Sequence, residues 1–275
     1  MQFKYFLPLL FILVGVACNK EENSDDNCQP VAPDPGQDRI IDEGSSVTLS
    51  VAAGYDTYQW STGEEGTQIE VDSAGSYWVK VTQCGKTLSD TVKVYLRYKT
   101  IRLETDSGTI RFWLYPKTRL HRENFLELAG SGFYDGLLFH RVVAGFVIQG
   151  GDPEGTGYGG PGYTIPAEIY SSPGHLFGAV GAARLGDDVN PERESNGSQF
   201  YIVSDPNGEP GLNGAYTVFG QVFDGLDVVT KLSQVPVDNQ HRPLTDLPML
   251  SVSIEYYSLQ ELADNFGFVP EIPSN

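Results

Sequence analysis

The stretch Phe139-His140-Arg141-Val142-Val143-Ala144-Gly145-Phe146-Val147-Ile148-Gln149-Gly150-Gly151 sets one cation and one amide among large apolar residues. Read as two short strands meeting at Gly145, it sends Val147 and Gln149 to the same face, because strand side chains alternate with a period of two. A guanidinium so framed has two uses. It is a fixed, permanently charged, multiply donating group at a site, or a rim residue of a buried hairpin whose head snorkels to water. This stretch alone leaves both open.

A second stretch, Ser195-Asn196-Gly197-Ser198-Gln199-Phe200-Tyr201-Ile202-Val203, reads as a turn entering a strand, with Gln199 and Tyr201 on one face and Phe200 and Ile202 on the other. A third, Gly211-Leu212-Asn213-Gly214-Ala215-Tyr216-Thr217-Val218-Phe219-Gly220-Gln221-Val222, repeats that pattern. In this order and at these separations the three resemble the motifs of the cyclophilin family of peptidyl-prolyl isomerases. The resemblance covers about 155 residues from Thr100 onward.

The chemistry that the resemblance implies needs no nucleophile. An X-Pro amide resists rotation by roughly 18–20 kcal/mol because nitrogen donates its lone pair into the carbonyl. Twisting the bond localises that pair on nitrogen, so a donor that meets the nitrogen only in the twisted state lowers the barrier by differential binding. By resemblance the donor is Arg141, with Gln149 binding substrate backbone and orienting the arginine, and with Phe146 and Gln199 completing the catalytic set. Val147, Tyr201 and Leu212 line the slot for the proline ring with Phe146, and Ala183, Arg184 and Tyr216 border it. Val147 stands for a commoner Met and Tyr201 for a commoner Phe. Arg184 replaces an Asn that acts through its backbone, Tyr216 a His, and Gly211 the Trp of animal members, which implies weak binding of the inhibitor cyclosporin. Residues 185–195 make a longer connection beside the groove than the compact animal form. No metal and no cofactor are implied, and the partners are unfolded or flexible proline-containing polypeptides.

The elements that must position these groups follow from periodicity. Ile101 to Thr105 and Thr109 to Tyr115 read as a hairpin across Asp106-Ser107-Gly108. Thr118 to Ala129 has apolar residues at helical spacing with Thr118 as cap. A second helix spans about Leu226 to Leu232, Leu250 to Tyr256 forms the last strand, and Ser258 to Phe266 a short helix ending at Gly267 before a loose tail. The resemblance implies that residues 99–257 form a closed antiparallel barrel of eight strands, solid inside and plugged by two helices, so that any site lies on its outer surface. Gly155 to Gly162 is a loop rather than a phosphate cradle, since no Lys-Ser or Lys-Thr step and helix follow. His121, His140, His175 and His241 lack metal-ligand spacing.

Upstream, Ser46 to Val51, Thr57 to Trp60, Thr67 to Val71, Gly75 to Thr82 and Leu88 to Leu96 alternate between turn residues at the spacing of a small antiparallel sandwich. Tyr58-Gln59-Trp60-Ser61-Thr62-Gly63 followed by Gly75-Ser76-Tyr77-Trp78-Val79-Lys80-Val81 resembles immunoglobulin-like repeats of bacterial surface proteins, which implies a β-sandwich over residues 30–98 serving as spacer or docking module. The chain is thus mainly β, with the sandwich first and the barrel second.

Residues 1–17 read as a leader: Lys4, an apolar core from Tyr5 to Val16, and Ala17 before Cys18. Val14-Gly15-Val16-Ala17-Cys18 resembles a bacterial lipobox, implying lipidation of Cys18, while Gly15 departs from the usual Leu and leaves a plain secretory signal open. Residues 18–29 are a polar, acidic tether. With Cys18 acylated, Cys28 and Cys84 remain as a disulfide pair or as two buried thiols. The implied location is the bacterial cell envelope, anchored by Cys18 to the outer membrane on its periplasmic or surface face. Acidic residues number 36 against 18 basic, a net charge of −18 that disfavours nucleic acid as a partner. Nothing calls for assembly, so a monomer is expected. Two functions remain: an isomerase assisting the folding of exported proteins, or a barrel that grips proline peptides as a chaperone or adhesion module without turnover. The arginine favours the enzyme.

Overall fold

The structure, a computed structural model, describes residues 28–270. The expected leader, the lipidated Cys18 and the tether as far as residue 27 lie outside the described residues. The strands are β1 (Arg39–Asp42), β2 (Val47–Ser50), β3 (Thr57–Trp60), β4 (Gln68–Val71), β5 (Gly75–Gln83), β6 (Lys86–Thr105), β7 (Gly108–Leu114), β8 (Arg141–Val143), β9 (Val147–Gly150), β10 (Thr164–Ile165), β11 (Ala179–Ala182), β12 (Ser195–Asn196), β13 (Phe200–Val203), β14 (Val218–Asp224) and β15 (Met249–Ser258). The helices are α1 (Arg119–Gly130), α2 (Leu226–Ser233) and α3 (Leu259–Phe266). The residues group into two compact units. One holds Ser50–Ile69 and Tyr77–Thr91 with the residues up to Gly36; the other holds Gln37–Leu49, Glu70–Ser76 and the chain from Val92 on.

In the first unit β3 pairs antiparallel with β5, Tyr58 opposite Val81 and Trp60 opposite Val79. Alternation buries Trp60, Val79 and Val81 completely, and the Trp60 indole N–H donates to the carbonyl of Gly66 at 3.0 Å. Trp78 lies on the other face beneath the Lys80 ammonium, 4.5 Å from its ring. Cys84 and Gly85 both have positive φ, 55° and 67°, which is what a two-residue turn between twisted strands requires. Cys84 is bonded to Cys28 across a separation of 56 residues, a closure that removes about 4 kcal/mol of chain entropy from the unfolded state in the loop-entropy picture.

In the second unit the strands run in the order β15-β6-β7-β14-β11-β13-β9-β8. Ile101, Leu103, Ile110, Phe112, Ile148, Val180, Phe200, Ile202 and Phe219 point to one side and form its core with Phe125, Leu128 and Val229 of the helices. Phe125 of α1 sits among Phe112, Tyr134 and Phe200, with ring centroids 5.5, 4.7 and 5.3 Å away. Thr118 precedes α1 as expected but does not cap it, since its hydroxyl donates back to the Tyr115 carbonyl at 3.1 Å. The cap is Glu168, whose carboxylate accepts from the amides of Leu120 and His121 at 3.1 and 3.0 Å and suits the positive end of the helix.

Two further expectations need correction. The eight strands do not close into a continuous ladder, because β8 and β15 are not paired as strands. Their seam is stitched by single backbone bonds instead, Gly136 N–H to Met249 O at 2.7 Å, Met249 N–H to Leu137 O at 2.8 Å and Phe139 N–H to Leu247 O at 2.9 Å. Pro248 stands opposite Leu138 and has no N–H to extend the ladder, and β8 is only three residues long. The segment after α3 is not loose as far as it is described: Phe268 stacks on Phe223 at 5.1 Å and its amide donates to Leu262 O at 3.1 Å. α3 itself has a full capping box between Ser258 and Glu261 and a left-handed Gly267 at its end.

Candidate active site

The same alternation that fills the core builds a second apolar cluster on the opposite face of the sheet. Val147 of β9, Tyr201 and Val203 of β13, Ala179 of β11 and Val218 of β14 are buried there, with Phe146, Ala183, Leu212 and Tyr216 packed against them. Six of them, Phe146, Val147, Ala183, Tyr201, Leu212 and Tyr216, line a hollow of about 210 Å³. Its lining holds nine of the residues singled out from the sequence: Arg141, Phe146, Val147, Gln149, Ala183, Arg184, Tyr201, Leu212 and Tyr216. Gln199 does not line it. It borders an adjoining hollow of about 300 Å³ that shares Gln149, Ala183 and Arg184 with the first.

Strand register brings the polar groups together. Arg141 lies opposite Gln149 across β8 and β9, and Tyr201 opposite Gln149 across β9 and β13. Gln199 donates from Nε2 to the carbonyl of Gly159 at 2.8 Å. That carbonyl can only accept, which leaves Gln199 Oε1 to accept from Gln149 Nε2 at 3.0 Å. Gln149 Oε1 therefore faces the cation and accepts from Arg141 Nη1 at 3.3 Å. The guanidinium carbon lies 6.0 Å from the Phe146 ring, so Arg141 is half-buried between an amide relay and an aromatic face. The orientation of every amide in this line follows from one backbone oxygen.

That oxygen is held by the glycine-rich loop, whose amides are already engaged. Glu154, Thr156, Gly157 and Gly159 donate N–H groups to the carboxylate of Asp152. Burial on its own pushes the Asp152 carboxyl up, but these amide bonds outweigh it and hold the group below the usual carboxylate range. The loop wraps a side chain of the protein itself, so these four amides are not free for a phosphate.

Arg184 does more than its backbone. Its guanidinium lies 4.5 Å over the Tyr216 ring, donates to the carbonyls of Ala215 and Leu185, both at 2.9 Å, and pairs with Asp187 at 2.6 Å. Asp187 also receives Arg193 at 2.9 Å, and the two guanidinium groups hold its carboxyl below the ordinary range. The longer connection after Arg184 is thereby pinned beside the groove. Tyr201, in the wall of the slot, is pushed up by burial and stays a neutral hydroxyl. Sequence reasoning passed over Asp152 and Gly159, although an acid directly after Gly150-Gly151 and before a run of glycines is a signal for a wrapped carboxylate. Among the described residues there is no group of three or more His, Cys, Asp or Glu placed to hold a metal ion.

A barrel-like β unit with an apolar slot and a guanidinium at its lip defines a class, and the comparisons agree on it. The family described as "Cyclophilin type peptidyl-prolyl cis-trans isomerase/CLD" matches residues 100–254. Peptidyl-prolyl cis-trans isomerase B of Bacillus subtilis is 48% identical over 139 residues, covering 50% of this chain and 92% of the relative. A peptidyl-prolyl cis-trans isomerase of Synechococcus elongatus is 47% identical over 133 residues, 47% of this chain and 86% of the relative. Crystal structures of a cyclophilin type isomerase of Cryptosporidium parvum superpose with TM-scores of 0.53 and 0.52 at 34% identity, covering 57% of this chain and 97% and 98% of theirs. The second was determined in the presence of the dipeptide Ala-Pro. The chain belongs to the cyclophilin family, and it is a peptidyl-prolyl cis-trans isomerase.

Proposed function

We propose that this isomerase works in the bacterial cell envelope, tethered through a lipidated Cys18, on proline-containing segments of unfolded or flexible exported proteins, as a monomer. The leader-like residues 1–17, the acidic stretch after Cys18 and the Cys28–Cys84 disulfide, a bond that persists in oxidising compartments, support export. The immunoglobulin-like resemblance of residues 30–98 supports a spacer between anchor and enzyme, with residues 99–257 as the enzyme.

In this reading the proline ring enters the slot between Phe146, Val147, Tyr201 and Leu212 while the preceding carbonyl swings outside. Arg141 donates to the prolyl nitrogen as its lone pair localises, Gln149 and Gln199 hold the guanidinium in place, and Ala183, Arg184 and Tyr216 border the substrate backbone. The observation that carries it is the placement of Arg141 on the lip of the apolar hollow with Gln149 as its acceptor at 3.3 Å. Peptide binding without turnover would not need a donor there. A protease-coupled proline isomerisation assay tests it: Arg141→Ala should lower kcat/KM by about 10²–10³, the usual effect of removing one preorganised donor, and equal rates would refute the mechanism. Incorporation of a labelled fatty acid that disappears in Cys18→Ala tests the anchor.

A further inference from the structure

His175 has no role in the chemistry above, yet it touches both sides of the slot. It is buried, and it is wired at four atoms. Its amide donates to Asn213 Oδ1 at 2.8 Å, its Nδ1 lies 2.8 Å from the same oxygen, and its carbonyl accepts from the Glu209 amide at 2.7 Å. Its Nε2 lies 2.8 Å from the Tyr201 hydroxyl.

The proton positions follow from the partners. A backbone N–H can only donate, so the Asn213 atom facing it is the oxygen, and Nδ1 of His175, meeting that oxygen, must carry a hydrogen. In the neutral ring Nε2 is then the acceptor, and the Tyr201 hydroxyl donates to it. Burial lowers the His175 pKa, in keeping with a neutral imidazole.

The geometry around the ring is shaped to this purpose. Glu209 and Asn213 flank the 3-10 turn Pro210–Leu212, which carries one wall of the slot, and Tyr201 is the opposite wall. Two glycines leave the necessary space. A Cβ on Gly181 would lie 2.3 Å from the Tyr201 ring, and one on Gly174 would lie 3.1 Å from the Asn213 amide. We infer that His175 is the positioning residue of the proline slot, fixing the Leu212 turn through Asn213 and Glu209 and the Tyr201 wall through its hydroxyl.

This rests on the slot being where proline binds. A slot with fixed walls presents its apolar surface without first ordering it, so loosening a wall weakens binding in ground and transition state alike, and KM moves while kcat does not. In the full chain, Tyr201→Phe and His175→Phe should each raise KM about fivefold, the equivalent of one lost hydrogen bond, with kcat within about twofold. The double substitution should be no worse than the worse single, because both remove the same bond. Unchanged KM in both singles, or fully additive effects, would overturn the inference, even where the melting temperature falls. The Arg141→Ala control separates the two levels: if it lowers kcat/KM while Tyr201→Phe leaves KM alone, the positioning role fails and the slot stands. Nitrogen chemical shifts of His175 in the unaltered protein give a readout independent of any variant's folding. A neutral ring protonated at Nδ1 supports the assignment, and protonation at Nε2 overturns it.

Discussion

Gln149 accepts from Arg141 at 3.3 Å with its oxygen and donates to Gln199 at 3.0 Å with its nitrogen. The amide cannot reverse without breaking both bonds, so the cation's acceptor is set by a residue that never borders the slot. Gln199→Leu keeps the volume but removes the anchor, freeing Gln149 to turn. The expected result is a fall in kcat of about tenfold, smaller than for losing the donor itself, with KM for a short proline peptide little changed. An unaltered kcat would show that Arg141 needs no relay.

Asp152 is nearly inaccessible and accepts four loop amides. Asp152→Ala would remove the acceptor that gathers those four donors around a buried carboxylate and release the Gly159 carbonyl that Gln199 uses. A loss of about 2–4 kcal/mol in unfolding free energy is expected, from the loss of these hydrogen bonds. Because the folded pKa lies below the unfolded one, the carboxylate's contribution is fully present above the unfolded value and is lost as pH falls through the folded value. Urea unfolding at neutral pH, wild type against variant, measures the first effect, and a difference under about 0.5 kcal/mol would contradict it.

Burial lowers His121, His140 and His175 below the ordinary 6.5, against the opposing pull of Glu168 on His121 and of Asp152 on His140. Each ring takes up a proton more readily unfolded than folded. Their combined contribution to stability is therefore intact above pH 6.5 and declines as pH falls from there through the folded values. Thermal melts between pH 7.5 and about 5 should show a steady drop in Tm. A flat profile over that interval would mean the rings titrate alike in both states.

Much of this site was legible because alternation in strands is local. Val147 with Gln149, and Gln199 with Tyr201, share faces by position alone, and three motifs supplied the rest by resemblance. What stayed hidden depends on contacts distant in sequence. His175 meets Asn213 across 38 residues, and nothing near either residue announces the pairing. β1 escaped notice because four residues, Arg39–Asp42, join β6 in parallel with four other strands between them in the chain, so no local hairpin marks the pairing. The ladder's failure to close turns on Pro248 facing Leu138, a matter of register and not of composition.

The Cys28–Cys84 bond lies wholly in the first unit, while every residue lining the slot lies in the second. Cys28→Ser with Cys84→Ser should lower the first unit's stability by up to about 4 kcal/mol and leave kcat/KM on a proline peptide unchanged. Two calorimetric transitions of which only one shifts would be the signature. A parallel loss of isomerase activity at a temperature where the second unit remains folded would contradict it.

Gly211 stands in the turn that carries Leu212, where animal members of the family have Trp. A Cβ built on it meets nothing within 4 Å, and its backbone is not in the left-handed region, so a side chain can start there without a clash at its Cβ. The unsubstituted chain lacks this aromatic wall and should bind cyclosporin weakly. Gly211→Trp should tighten cyclosporin inhibition by about tenfold or more, as a buried aromatic anchor does at an interface, with kcat/KM on a short peptide near that of the parent. Isothermal titration with both proteins decides the matter. Equal affinities would mean that another departure, Val147 or Tyr216 being the nearest candidates, limits the inhibitor.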